Sequence, residues 1–322
     1  MIQALPYTKE VPMEYSQYFF QSSSGLGRIH VNQWVPTDLP VRGVIQISHG
    51  VAEYGYRYHD FAEFLCNHGF AVLANDHIGH GQSVYPSGAD VYFGEHNGWW
   101  CVVEDMETIR QQVRKSFPGL PVILFGHSMG SFLSRTHMIL HPGCFEGCIL
   151  SGTGYPGIGT IKAGKVISKL RMLSLGSDGY SPLVDRMAFG SYNHKFSPNR
   201  THVDWLSANE ENVDNYIADP LCGQPAKLGL FSDLMDGLTY ITSFKNIQNM
   251  DRTTPILLLS GAQDPVGDMG KGVVKTEKQF KASGIQDVSM KLYPGLRHEI
   301  LNETCHLEIY QDILTWLESR YF

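Results

Sequence analysis

Long apolar runs, positive charge and paired cysteines are all scarce in this sequence of 322 residues. No stretch of roughly 18 consecutive apolar residues occurs, so we expect no membrane-spanning helix. Residues 1–20 contain no basic stretch followed by a continuous apolar run, so we expect no signal peptide. The 25 Lys and Arg residues are outnumbered by 32 Asp and Glu residues, giving a net charge of −7. This balance leaves no basic excess for general nucleic-acid binding.

The six cysteines lie mostly far apart. Only Cys144 and Cys148 are close in sequence, and no second close pair exists that could complete a zinc site. We therefore expect no metal, and cysteines that act as small apolar side chains in a reducing cytoplasm.

Short apolar runs mark the strands of one sheet. Three β-like runs come first, at residues 14–20, 28–35 and 43–49, and the second alternates as a half-buried antiparallel strand would. Later runs are continuously apolar, which is typical of parallel strands covered on both faces. These later strands are predicted at residues 70–75, 121–125, 148–150, 255–260 and 291–293. Helical spacing at residues 58–68, 102–117 and 305–317 completes a pattern that predicts an α/β fold with a mostly parallel central sheet and helices on both faces.

The middle third of the chain interrupts this alternation. Residues 152–245 begin with a Gly-rich stretch and contain no strong apolar strand. We expect them to form a mainly helical cap inserted into a single core domain, which is built from residues 1–151 and 246–322. Val166, Leu170 and Leu173 follow a helical spacing there, which predicts either an apolar roof over a lipid site or an amphipathic helix packed on the core.

The sequence Gly126-His127-Ser128-Met129-Gly130 lies between a predicted strand and a predicted helix. In this context the Gly-x-Ser-x-Gly pattern predicts a nucleophile elbow, a tight turn that exposes the serine hydroxyl. Side chains at the two glycine positions would collide with neighbouring chain, which explains the glycines. The alternative is a Gly-rich turn that contains a serine by chance.

A nucleophilic serine needs a base and an acid that orients the base, in the chain order Ser, acid, His for this arrangement. Asp264 and His298 each follow a predicted strand by three residues, at the edge where open α/β sheets gather functional groups. Asp268 is the competing acid, and we expect it to be a solvated side chain or a helix cap. His306 falls on the predicted last helix, which leaves His298 as the base.

Two backbone N–H groups should stabilise the oxyanion. One is expected from Met129, directly after the serine. The other is expected from Val51, because Gly50 permits a close backbone approach after the strand that ends at His49. His49-Gly50 could instead simply end a strand.

The segment Asp76-His77-Ile78-Gly79-His80-Gly81-Gln82-Ser83 follows another predicted strand. Two histidines and an aspartate could form a metal site, but a third convincing ligand is missing. We interpret the segment as a structural loop and expect no metal and no cofactor.

Five motifs in order resemble the monoglyceride lipase and lysophospholipase branch of the α/β-hydrolases, which is also described as serine aminopeptidase-like. They are His49-Gly50, the loop at residues 76–83, the elbow at 126–130, Asp264-Pro265-Val266 and Arg297-His298-Glu299. The resemblance implies the α/β-hydrolase fold, the triad Ser128, Asp264 and His298, the oxyanion donors Val51 and Met129, and a cap over the acyl pocket. The chain departs from well-known members at Tyr54, where they usually carry histidine.

These features predict a serine hydrolase that cleaves carboxylic esters, above all monoacylglycerols or related acyl esters, through an acyl-enzyme. The cap could make transient contact with lipid surfaces. Alternatives on the same triad are a lysophospholipase, a small aryl-ester esterase or an aminopeptidase. An aminopeptidase should have an acidic patch in the cap, which Glu210, Glu211 and Asp214 could supply. A further alternative is a catalytically inert binding protein of the same fold.

Overall fold

The computed structural model describes residues 12–85 and 91–322. Within them eight strands form one sheet in the order β1-β2-β4-β3-β5-β6-β7-β8. The strands are β1 (Met13–Gln21), β2 (Arg28–Pro36), β3 (Gly43–Ser48), β4 (Phe70–Asn75), β5 (Val122–His127), β6 (Gly147–Ser151), β7 (Ile256–Gly261) and β8 (Val288–Tyr293). The β1–β2 and β2–β4 pairs are antiparallel, and all the other pairs are parallel. The predicted mostly parallel sheet is confirmed.

Ten α-helices surround or extend this sheet in the described residues. They are α1 (His59–Cys66), α2 (Gly98–Ser116), α3 (Met129–Leu140), α4 (Ile158–Leu175), α5 (Pro182–Phe189), α6 (Glu210–Ala218), α7 (Leu228–Thr242), α8 (Phe244–Ile247), α9 (Lys271–Ser283) and α10 (His306–Tyr321). No helix in the described part of the chain is both long enough and apolar enough to span a bilayer. Residues 1–11, which belong to the stretch where no signal peptide is expected, lie outside the described residues.

The two faces of the sheet carry separate cores. Ile123 and Phe125 of β5 face the core to which α1 and α10 contribute. Val122 and Leu124 face the opposite core, which α2, α3 and α9 help to form. Because successive side chains of a strand point to opposite faces, a strand covered on both sides must be apolar throughout. This burial explains why the central strands are continuous apolar runs.

The expectation that the strand at residues 28–35 is half-buried is wrong. Four consecutive residues of β2, from Ile29 to Asn32, are buried. The polar ones find partners inside: His30 Nδ1 donates to Asp76 Oδ2 at 2.9 Å, and Asn32 Nδ2 donates to the Ala74 carbonyl at 3.1 Å. Alternation of polar and apolar residues therefore marked a strand whose buried polar side chains bond to its neighbours rather than a solvated face.

Residues 152–255 connect β6 to β7 and are called here the β6–β7 segment. It contains α4 to α8 with short 3-10 turns and no strand. The helix α7 packs against α2 and α3 of the core, and α4 packs against α7. The division into a core and a cap at residues 151 and 246 stays a prediction.

The start of α3 lies against the end of β3 with no room for a side chain. A Cβ atom at Gly130 would lie 2.5 Å from the Ser48 carbonyl carbon and 2.6 Å from the His49 carbonyl oxygen. Both neighbours are backbone atoms of the sheet edge, which cannot move aside cheaply.

We expect Gly130→Ala to lower the free energy of unfolding by about 2–3 kcal/mol, because the added methyl group forces α3 away from β3. Chemical denaturation measures the change. Gly159→Ala in α4 is the matched control, since a Cβ there meets nothing within 4 Å. The control should be neutral or stabilise by up to about 1 kcal/mol. Equal denaturation midpoints for Gly130→Ala and the wild type would contradict the steric explanation.

Candidate active site

Ser128 lies in the turn between β5 and α3, as the elbow pattern predicts. Its φ is +52° and its ψ is −121°, a combination that residues with a side chain rarely adopt. The turn is held by backbone contacts: the Ser128 N–H donates to the Ser151 carbonyl at 3.0 Å, and the Ser131 N–H donates to the Ser128 carbonyl at 2.9 Å. A Cβ at Gly126 would lie 2.5 Å from the Gly130 carbonyl oxygen. The glycines on both sides therefore allow the turn to close.

Asp264 and His298 are in direct contact on the loops after β7 and β8. His298 Nδ1 donates to Asp264 Oδ2 at 2.9 Å, and both side chains are buried. The Asp264 carboxylate also accepts from the Val266 N–H at 2.8 Å and from the Ser260 hydroxyl at 3.2 Å. These bonds fix the carboxylate and leave His298 Nε2 free to accept a proton.

Electrostatics at this pair favour the protonated imidazole. Burial acts to lower the pKa of His298, but the charge and hydrogen bond of Asp264 outweigh it, so the pKa rises above its ordinary value of 6.5. The neighbouring His127 ring has its centroid 4.7 Å away. Burial, followed by the proximity of His298, lowers the pKa of His127 to about 4, so His127 stays neutral near pH 7.

Ser128 and His298 face the same cavity, whose volume is about 470 Å³. Ser128 is 9% exposed, and within the described part of the chain its hydroxyl makes no hydrogen bond, not even to His298. The cavity walls combine aromatic residues such as Trp205 and Phe189 with the carboxylates of Glu53 and Glu299. A volume in this range suits a small organic ligand.

The two predicted oxyanion donors lie beside the serine. Val51 lines the cavity, and its N–H donates no hydrogen bond to the described residues. Met129 is the first residue of α3, where helix N–H groups have no partner inside the helix. The Gly50 N–H, in contrast, is occupied, since it donates to Glu53 Oε1 at 2.5 Å.

Several residues considered from the sequence lie away from this cavity. Asp268 is exposed, and Glu210 and Asp214 bind Arg200 at the surface instead of facing the cavity. The acidic patch expected of an aminopeptidase is therefore not supplied by these carboxylates.

The apolar residues of α4 do not form the roof that was expected. Val166, Leu170 and Leu173 are 56%, 61% and 85% exposed, so they neither line the cavity nor pack on the core. The apolar roof is therefore wrong. The helix itself does pack on the core, through Ile161 and against α7, but Val166, Leu170 and Leu173 point away from that contact. Helical periodicity shows that a face is apolar but not which way it points.

The loop at residues 76–83 is built around Asp76. Its carboxylate accepts from the Gly55 N–H at 2.7 Å and the Gln82 N–H at 2.8 Å, as well as from His30. In the residues that the structure describes, no group of three or more His, Cys, Asp or Glu side chains is placed to hold a metal ion.

Sequence reasoning missed the ion-pair network beside the cavity. Arg57 binds both Glu53 and Glu299 at 2.8 Å, and all three side chains are largely buried. Glu53 and Arg57 are four residues apart, a spacing that by itself is typical of a solvated ion pair. The one local signal is Glu299, which follows His298 directly in sequence and therefore places a carboxylate next to the site.

A family model described as serine aminopeptidase, S33, matches residues 40–305. The chain is 28% identical to a monoacylglycerol lipase from Mycolicibacterium smegmatis over 94% of its length and 97% of that protein's. It is 27% identical to the monoglyceride lipase of Homo sapiens, covering 89% of this chain and 86% of that one.

Solved structures agree with these relatives. A carboxyl esterase from Bacillus coagulans, determined in complex with glycerol, superposes with a TM-score of 0.89 at 28% identity, covering 96% of this chain and 99% of that one. A monoglyceride lipase from Saccharomyces cerevisiae superposes with a TM-score of 0.72 at 21% identity, covering 98% of this chain and 99% of that one. The match at residues 40–305 spans most of the chain and confirms the resemblance found in its motifs: the protein belongs to the serine aminopeptidase S33 family of α/β-hydrolases.

Proposed function

We propose that this carboxylic ester hydrolase cleaves monoacylglycerols or related acyl esters, with Ser128 as nucleophile, His298 as base and Asp264 as the orienting acid. The observation that carries the proposal is the buried Asp264–His298 pair, which opens on the cavity that also holds the strained Ser128 turn. The relatives named monoacylglycerol lipase support the substrate class.

The reaction proceeds in two steps. His298 Nε2 takes the Ser128 proton while Oγ attacks the ester carbonyl, and the N–H groups of Val51 and Met129 stabilise the oxyanion. The imidazolium then protonates the leaving alcohol as the ester C–O bond breaks, which leaves an acyl group on Ser128. Water, deprotonated by His298, attacks this acyl-enzyme, and the proton returns to Ser128 as the carboxylic acid departs.

The cavity supports a substrate with one apolar part and one hydroxylated part. Its apolar wall, which includes Phe189 and Ala226, suits an acyl chain. Polar side chains of the lining, Gln224 and His202, can exchange hydrogen bonds with the hydroxyl groups of a glycerol ester. An inert binding protein would not need a fixed acid–base pair beside a strained serine.

The outer face of α4 supports contact with a lipid surface. Val166, Leu170 and Leu173 form an exposed apolar stripe, and Lys162 and Lys169 on the same helix are exposed as well. No acidic residue occurs in α4. A helix with an apolar face and cationic flanks binds at the interface of anionic membranes.

Replacing Ser128 by alanine tests the nucleophile. We expect kcat/KM for p-nitrophenyl butyrate to fall at least about 10⁴-fold, since the covalent step is lost. A fluorophosphonate probe should label the wild type at Ser128 and leave Ser128→Ala unlabelled. Ser319→Ala, at an exposed serine of α10, should keep wild-type turnover. Full turnover of Ser128→Ala, or an adduct on another residue, would overturn the assignment.

The pH profile tests the acid and the base. Because His298 must be neutral to act as a base and its pKa is raised, kcat/KM should fall as the pH drops through a value above 6.5. Asp264→Asn removes the charge that raises this pKa, so the acid limb should move to lower pH while kcat drops by roughly 10⁴-fold.

Asp268→Asn is the matched control for this experiment, because Asp268 is exposed on the same loop. This substitution should change neither the acid limb of the pH profile nor kcat. An unchanged acid limb in Asp264→Asn would contradict the pairing of Asp264 with His298.

Co-sedimentation with phosphatidylglycerol vesicles tests the outer face of α4. Leu173→Asp should weaken binding by roughly tenfold, because it removes one exposed apolar side chain and adds a charge of the wrong sign. Turnover of water-soluble p-nitrophenyl acetate should be unchanged. Leu307→Asp is the control, since Leu307 is 51% exposed on α10. Equal losses for the two variants would show that α4 has no special part in binding.

A further inference from the structure

Arg57 is a buried cation placed between two carboxylates beside the candidate active site. Its side chain is 11% exposed. Nη1 donates to Glu53 Oε2 and to Glu299 Oε1, each at 2.8 Å, and Nη2 donates to Glu299 Oε2 at 2.8 Å. The planar guanidinium thus binds Glu299 through two parallel bonds and Glu53 through one, a geometry that fixes the directions of both carboxylates.

Glu53 passes this constraint to the loop that holds the predicted oxyanion donor. Its other oxygen, Oε1, accepts from the Gly50 N–H at 2.5 Å and from the Tyr58 hydroxyl at 3.0 Å. Gly50 lies directly against the serine turn, since a Cβ on Gly50 would be 3.1 Å from the Ser128 Cβ. The orientation of Glu53 therefore sets the position of the backbone from which the Val51 N–H projects.

Glu299 passes the same constraint to the loop that carries the base. It follows His298 directly in sequence, and its N–H donates to the Leu206 carbonyl at 2.7 Å. Its carboxylate accepts from Asn302 Nδ2 at 3.2 Å in addition to Arg57. The backbone of the His298 loop is thereby tied to the guanidinium on one side and to the β6–β7 segment on the other.

Helix α6 of the β6–β7 segment completes the network. Asn212 Nδ2 donates to Glu299 Oε2 at 2.8 Å, and Arg57 Nη2 donates to Asn212 Oδ1 at 3.4 Å. The Arg57 guanidinium lies 5.1 Å from the centre of the Tyr216 ring, and the Tyr216 hydroxyl donates to the Ala52 carbonyl at 3.1 Å. The same cation thus contacts the oxyanion loop, the His298 loop and α6.

One guanidinium serves two carboxylates in this network, and the attraction acts on the pKa values of its members. Burial alone would lower the pKa of the Arg57 guanidinium, but Glu299 and Glu53 raise it above its ordinary value. Burial acts to raise the pKa of Glu299, and Arg57 more than compensates, so this pKa falls to about 2. Removing the guanidinium leaves two buried carboxylates without their cation, which the surrounding loops can relieve only by moving.

We infer that Arg57 is a positioning residue, which acts through Glu53 and Glu299 to set the Val51 N–H and the His298 imidazole at their working separation once α6 is in place. The inference rests on the proposed function of Ser128, His298 and Val51. Glu53 and Glu299 line the cavity, whereas Arg57 is not among its lining residues in the described part of the chain. Arg57 therefore affects the reaction through geometry and not through contact with the substrate.

Geometry can be separated from charge because lysine keeps the charge of arginine but not its shape. A single ammonium group cannot make two parallel bonds to Glu299 and also reach Glu53 and Asn212. If charge compensation were the whole role of Arg57, lysine would replace it well. If the fork geometry sets the loops, lysine must fail nearly as badly as an uncharged residue.

The test compares Arg57→Gln and Arg57→Lys with the wild type on p-nitrophenyl acetate, an ester too small to contact the far walls of the cavity. We expect kcat to fall roughly 30- to 100-fold in both variants, with KM changed by less than about threefold, because a displacement near 1 Å impairs the transition state more than ground-state binding. The rate of fluorophosphonate labelling at Ser128 should fall by a similar factor.

Arg110→Gln is the matched control. Arg110 makes two hydrogen bonds to the carboxylate of Glu107 on α2 and is also largely buried, but this pair does not line the cavity. Its loss should lower the thermal midpoint as Arg57→Gln does, while kcat stays within about twofold of the wild type. This comparison separates positioning from general stability.

Asn212→Ala tests the link to α6. We expect a loss in kcat of several-fold, and we expect the double variant Arg57→Gln/Asn212→Ala to lose no more than Arg57→Gln alone, since both substitutions break one network. Additive losses would show that Asn212 acts independently of Arg57 and would contradict the link.

Three results would overturn the inference. They are near-wild-type kcat in Arg57→Lys, a change confined to KM, and equal losses of kcat in Arg57→Gln and Arg110→Gln. Failure of the proposed function has a different signature, because then the wild type itself would turn over no ester and take no fluorophosphonate label at Ser128.

Discussion

The close approach of α3 to the end of β3 is the constraint on which the site depends. Gly130 lies against the carbonyl groups of Ser48 and His49, so the first turn of α3 starts directly beside the loop that leaves β3. This approach forces the tight turn in which Ser128 adopts a positive φ, and it places the start of a helix next to Val51. The strained serine and both predicted oxyanion donors are thus consequences of one backbone contact.

Much of the fold could be predicted because its signals are local. Parallel strands covered on both faces must be continuously apolar, and functional groups gather after their carboxyl ends, where Asp264 and His298 stand in the sequence. Asp264 is buried against His298 while Asp268 is exposed, although the two differ by only four positions in one loop. The roles of these residues stay predictions, whereas the fold class and the enzyme class are confirmed.

What the sequence could not reveal depends on contacts between distant segments. Arg57 and Glu299 are separated by 242 positions, and nothing local to Arg57 distinguishes it from a solvated charge. The outward direction of Leu173 and the buried polar groups of β2 are likewise set by neighbours that periodicity does not identify. Buried charges in particular require partners, and partners are supplied by topology.

The β6–β7 segment meets the rest of the molecule in two chemically different ways. Through α6 it binds Arg57 and Glu299 with directional, charge-assisted bonds, which tolerate little displacement. Its helix α4 packs against α7 on one face and exposes Leu173 and neighbouring apolar residues on the other. The lipid contact proposed for α4 would therefore act on a part of the segment separate from the one that holds Glu299. In the proposed function, contact at the outer helix would thus leave the bonds that hold the Val51 and His298 loops unbroken, because none of those bonds involves α4.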